Sequence, residues 1–178
     1  MKKTLCLVVT LAMLTLFAGL ASAENYIAGG VVWSGGVSTA TFGGQLDINE
    51  KLSAEAEYTS IANVSEFDIY LKYPISEQGD GRFGVLGMGG IATVGNNSYT
   101  GYGVGLWGEQ RMASQMVAYA KGGYVYVPST SKGGFSAMAG VRAYIASPMF
   151  VAGEGLWSCN PDSGETGSAF RVKVGVTF

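Results

Sequence analysis

From residue 26 onward, apolar and polar side chains alternate with a period of two, broken at regular intervals by turn residues. The last ten residues, AFRVKVGVTF, show the pattern most cleanly. Phe170, Val172, Val174, Val176 and Phe178 share one face of a strand, with Ala169, Arg171, Lys173, Gly175 and Thr177 on the other. Ten such segments are predicted, at about 26–33, 38–48, 52–60, 66–73, 82–94, 99–110, 116–127, 134–145, 149–158 and 169–178. No helix is predicted after residue 24. Between the segments lie turn signals such as Ser34-Gly35-Gly36, Glu77-Gln78-Gly79-Asp80-Gly81, Gly95-Asn96-Asn97 and Asn160-Pro161-Asp162. Short strands at even spacing joined by tight turns predict antiparallel hairpins and an all-β closed sheet.

The placement of the charges decides which solvent that sheet meets. In FDIYLKY, Phe67, Ile69, Leu71 and Tyr73 oppose Asp68, Tyr70 and Lys72; in FSAMAGVRAYI, Arg142 stands opposite a wholly apolar face. When each charge sets the parity of its strand, the polar face collects Asp47, Glu55, Glu57, Asp68, Glu109 and Glu154. With them fall Lys72, Arg82, Lys121, Arg142, Arg171 and Lys173. Six acids against six bases is unnecessary on a water-facing surface but needed in a small closed interior, where buried charges must be paired. The apolar faces are rich in Gly and Ala, too small for a sandwich core but adequate against lipid. The reading is a closed antiparallel transmembrane β-barrel of about ten strands, with eight as the alternative if one hairpin is misread.

Segment lengths agree, since a tilted strand needs about nine to eleven residues to cross a bilayer. Outward aromatics fall in two sets, as expected of interfacial girdles. Tyr58, Tyr124, Tyr126, Phe135, Trp157 and Phe170 lie towards one set of strand ends, and Tyr73, Phe83 and Phe178 towards the other. Residues 1–23, MKKTLCLVVTLAMLTLFAGLASA, have Lys2 and Lys3 before an uncharged run and Ala21-Ser22-Ala23 after it, the plan of a cleaved secretory signal peptide. The barrel domain is then 24–178. Without Lys2 and Lys3, nine basic residues face thirteen acidic ones, and no basic cluster suggests nucleic acid as a partner.

An export signal, alternating strands and a terminal V-K-V-G-V-T-F resemble the small outer-membrane β-barrel proteins of Gram-negative bacteria, the group around the OmpA transmembrane domain, OmpX and the opacity proteins. The resemblance covers the chain after the signal. Members typically have eight strands and long surface loops, whereas this chain reads as ten strands with short ones. The resemblance implies outer-membrane localisation, both termini periplasmic, a monomer, and contact with outer-membrane lipid and lipopolysaccharide. It also implies that Val172, Val174, Val176 and Phe178 form the signal read by the barrel-assembly machinery, with periplasmic chaperones as further partners in biogenesis.

Candidate chemistry is sparse. GVGLWG, Gly103 to Gly108, matches G-x-G-x-x-G but lies inside a strand, without the following helix a phosphate cradle requires. Its glycines are expected to make room for neighbouring rings or to relieve curvature. Glu55 and Glu57 share a face and are read as interior ion-pair partners, not as an acid/base pair. The chain has no histidine. Known barrel enzymes (lipases, deacylases, palmitoyl transferases and omptin proteases) resemble one another in using one, so no enzyme is expected, and no cofactor or metal. Cys159 is expected as a free surface thiol or an intermolecular bridge, and the sequons at Asn63 and Asn96 as coincidental. Loop 159–168, with Asn160, Asp162 and Glu165, reads as a solvated turn. With Tyr70, Tyr119 and Tyr144 also inward, a largely filled, salt-bridged lumen is expected, in a structural or surface-interaction protein. A narrow channel or small-ligand carrier is the alternative.

Overall fold

The computed structural model describes residues 25–61 and 64–178. Ten strands run β1 (Tyr26–Ser34), β2 (Val37–Asn49), β3 (Leu52–Ile61), β4 (Val64–Gln78), β5 (Gly81–Val94), β6 (Asn97–Ala113), β7 (Met116–Val127), β8 (Lys132–Ala146), β9 (Met149–Cys159) and β10 (Thr166–Thr177). Each pairs antiparallel with its chain neighbours, and β1 pairs with β10, so the sheet closes into a ten-stranded barrel. Closure leaves no edge with unpaired backbone amides, which a sheet in lipid requires. The expected fold class and strand count hold. The signal-peptide segment and Asn63 lie outside the described residues.

Alternation works here as the sequence requires. Ile27, Phe42, Leu46, Ile69, Leu71, Tyr73, Val104 and Val174 point outward and are exposed, while most charged residues on the opposite parity, among them Glu55, Glu57, Lys121 and Arg171, are buried. Of the outward aromatics, Tyr58, Tyr124 and Phe170 are exposed towards one end, with Tyr73 and Phe178 towards the other. Tyr124 and Phe135 meet edge-on at 5.2 Å, and Phe170 stacks on Trp33 at 6.1 Å.

The two ends of the barrel differ. One carries the start of β1, the end of β10 and the turns at 50–51, 79–80, 114–115 and 147–148. All four register shifts lie near it, at Asp47/Asn49, Pro74/Ser76, Arg111/Ala113 and Tyr144/Ala146. Pro74, which has no amide to donate, is accommodated at such a bulge. The opposite end carries the Gly35-Gly36 hairpin, whose φ values of 57° and 83° suit a type I′ turn, the turn at 95–96, the short 3-10 turn Pro128–Thr130 and the 160–165 loop. Several strands run longer than their alternation suggested; β4 spans 15 residues and β6 spans 17.

Candidate functional site

The G-x-G-x-x-G run lies within β6, as its alternation requires, and its glycines serve close packing. A Cβ on Gly103 would stand 2.1 Å from the Tyr124 carbonyl oxygen, and one on Gly105 would stand 2.2 Å from that of Gly122. Here β6 and β7 coil tightly, and only glycine fits the inner side.

At mid-height the lumen is crossed by an ion network. Glu57 of β3 receives Arg171 Nη2 at 2.8 Å, Lys173 Nζ at 3.0 Å and Lys121 Nζ at 3.3 Å. Glu55 receives Lys72 Nζ at 2.5 Å and Lys121 Nζ at 3.0 Å. Glu154 of β9 holds Arg171, its cross-strand partner, and Lys173 at 2.8 Å, and Tyr119 Oη donates to it at 2.6 Å. Lys72 also donates to Gln45 Oε1 at 2.7 Å, and Tyr26 Oη donates to Glu55 at 3.2 Å. Arg171 and Glu154 are 2% and 1% exposed. Strands β3, β4, β7, β9 and β10 thus meet at one level through three carboxylates and four cations.

Below this level, towards the termini, aromatic rings fill the barrel. Tyr26, Ala28, Phe150 and Ala152 form a buried cluster with Tyr144 packed against it. The Arg142 guanidinium lies 4.3 Å from the Tyr26 ring centre and 4.8 Å from that of Phe150. Between this layer and the ion network is a void of about 20 Å³. Trp107, Glu109 and Arg142 line it, and Trp107 Nε1, Glu109 Oε1 and Arg142 Nε are buried there without a hydrogen-bond partner among the described residues.

Above the network the lumen opens. A cavity of about 890 Å³ extends from a floor at Glu57, Lys121 and Arg171 to the loop end, where Ser34, Lys132 and Glu165 line it. The expectation of a largely filled interior therefore holds for one half of the barrel only. The reason is side-chain size, since Gly90, Gly101, Gly134 and Gly167 lie where the cavity is and leave no bulk to fill it.

Of the twelve charged residues assigned to the lumen, Glu55, Glu57, Lys72, Lys121, Glu154, Arg171 and Lys173 come together in the network. Arg142 and Glu109 line the void beneath it. Arg82 pairs with Glu77 at 2.9 Å and lies 5.7 Å from the Trp107 ring. Asp68 lines the upper cavity, apart from the network's ion pairs. Asp47 stands apart at the terminal rim, exposed and accepting from Ser53 Oγ at 2.6 Å. Two inward acids were not in that set, Glu66 on the cavity wall and Glu77. Val172, Val174 and Val176 share the outward face of β10, and Phe178, just past its end, is 69% exposed. Cys159 is not on the surface but buried at the end of β9, and it is not a free thiol. Among the described residues no cluster of acids and cysteines could hold a metal.

No known protein family and no curated protein matches the chain. Solved structures do. A KdgM porin in complex with disordered oligogalacturonate is 7% identical, with 86% of this chain and 99% of that one aligned and a TM-score of 0.51. The outer-membrane protease OmpT from Escherichia coli is 12% identical over 90% of this chain and 99% of that one, with a TM-score of 0.53. At such identities the likeness is one of fold. The structural neighbours are outer-membrane β-barrels.

Proposed function

We propose that the chain is a non-conducting, non-enzymatic outer-membrane barrel that works as a surface-interaction protein. In this reading both termini are periplasmic and the loop-end vestibule faces the outside of the cell. The observation that carries it is the closed lumen. An incoming solute reaches Glu57, Arg171 and Lys121, already engaged in ion pairs with one another, and below them a layer of aromatic rings. A pore would need an unbroken water path through the barrel, with charged rings arranged to select what passes. The outward apolar belt supports the membrane placement, because it would be a large aggregation-prone surface in water. The lack of histidine supports a non-enzymatic role.

The test is conductance and liposome swelling with the refolded protein in planar bilayers and vesicles. The closed barrel gives no steady single-channel current and no sugar flux. Steady currents that change with Lys121→Ala or Glu109→Ala would replace this reading with that of a narrow channel.

A further inference from the structure

The vestibule has a closed floor, walls of mixed character and a volume within the 300–1,000 Å³ range of small-molecule sites. Its lining is chemically uneven. Leu86, Met88 and Val125 give it an apolar side, and Tyr70 and Tyr99 add aromatic surface. Its floor cations are engaged, since Lys121 and Arg171 each serve two carboxylates. Lys121 also sits 3.4 Å from the Tyr70 ring centre. The β4 wall differs. Glu66 and Asp68, two residues apart on the inward face, join no ion pair among the described residues, although both line the cavity.

The register keeps this wall open. Glu66 is flanked by Thr59 on β3 and Ala92 on β5, and Asp68 by Glu57 on β3 and Gly90 on β5. A Cβ on Gly90 would come within 2.3 Å of Asp68 Oδ1, so the glycine provides the recess in which that carboxylate lies. The small β5 neighbours leave room beside both carboxylates, which line the cavity together with apolar and aromatic surface. A carboxylate in such a partly desolvated recess is best satisfied by a charged donor.

We propose that the vestibule is a binding site for a cationic amphiphile, a molecule with one ammonium or guanidinium group on an apolar or aromatic body. Glu66 and Asp68 receive the cation, while Leu86, Met88, Val125 and the two tyrosines hold the body. An anionic amphiphile of the same shape is disfavoured, because every cation on the floor already has its carboxylates. The proposal rests on the closed-barrel reading for its floor, but the two can fail separately.

The test uses the refolded protein in phosphatidylcholine nanodiscs, with empty nanodiscs as blank. Dansylcadaverine is the cationic probe and dansylglycine its anionic counterpart with the same fluorophore. Saturable binding of dansylcadaverine is expected, at least tenfold tighter than dansylglycine. The E66Q/D68N variant should lose roughly tenfold or more, the usual order for one charge-assisted contact. Its heat-modifiable gel mobility, which reports the closed barrel, should be unchanged. A second variant, M88W, fills the cavity without touching the acids and should also abolish binding. Absence of saturable binding, equal affinity for both probes, or binding insensitive to E66Q/D68N would each overturn the proposal. Conductance in the same preparation reads the closed floor independently, so a current with intact amine binding would overturn the closed-barrel reading alone.

Discussion

Glu57 accepts from Lys121, Arg171 and Lys173 at once, in the middle of a lumen where all three cations are buried. Removing it leaves several buried positive charges sharing fewer carboxylates, the situation that costs most in a low-dielectric interior. Glu57→Ala should therefore lower stability by about 3–5 kcal/mol in urea unfolding of the micelle-bound protein. Asp47→Asn, at the exposed rim, should stay within about 0.5 kcal/mol of the parent. Equal effects would mean that the network contributes no more than a surface contact. Most of this network was legible from parity alone, because each lumen charge marks its own face. Glu77 was not. The bulge between Pro74 and Ser76 shifts the register, so a residue that strict alternation from Lys72 turns outward comes round to Arg82. Glu66 has the parity of Asp68 but stands at the edge of the segment as read. Only the continuation of β4 to Val64 makes it a wall residue and not part of a loop.

At the scale of the strand, the glycines divide by the face they occupy. Gly105 points inward, and a Cβ there would press on the Gly122 carbonyl of the next strand. Gly89 points outward, with nothing within 4 Å of an added Cβ. Gly105→Ala should cost about 1–3 kcal/mol by forcing β6 from β7, whereas Gly89→Ala should be neutral or gain up to about 1 kcal/mol from the loss of unfolded-state freedom. Unfolding midpoints of the two variants under one set of conditions test this, and an inverted order would refute the packing role of the β6 glycines. The strands themselves were legible because lipid on one side and charge on the other impose a strict period of two. Their ends were not, since β4 and β6 run past the apolar stretch into polar residues that carry no periodic signal. The upper cavity was likewise hidden from any single strand. It arises where small inward residues of neighbouring strands come to the same height, and that coincidence is set by barrel register.

Across the whole molecule, two barriers stand in series between the vestibule and the terminal end. The first is the ion network around Glu57, and the second is the layer of Tyr26, Phe150 and Arg142, with a void of about 20 Å³ between them. In the closed-barrel reading proposed above, either barrier alone stops a hydrated ion, because passage requires a continuous water file and each layer interrupts it. Opening the first by Glu57→Ala with Arg171→Ala joins the vestibule to the void but leaves the aromatic layer beneath. Opening the second by Arg142→Ala with Phe150→Ala widens the terminal end but leaves the ion pairs above. Each double variant should remain silent in planar bilayers, and only the fourfold combination should give steady conductance, provided its heat-modifiable mobility shows that the barrel still closes. The fourfold variant gives up both buried ion pairs and aromatic packing, so its folded fraction is measured before its current. Conductance in either double variant equal to that of the fourfold one would show that the lumen has a single gate at the level of that pair.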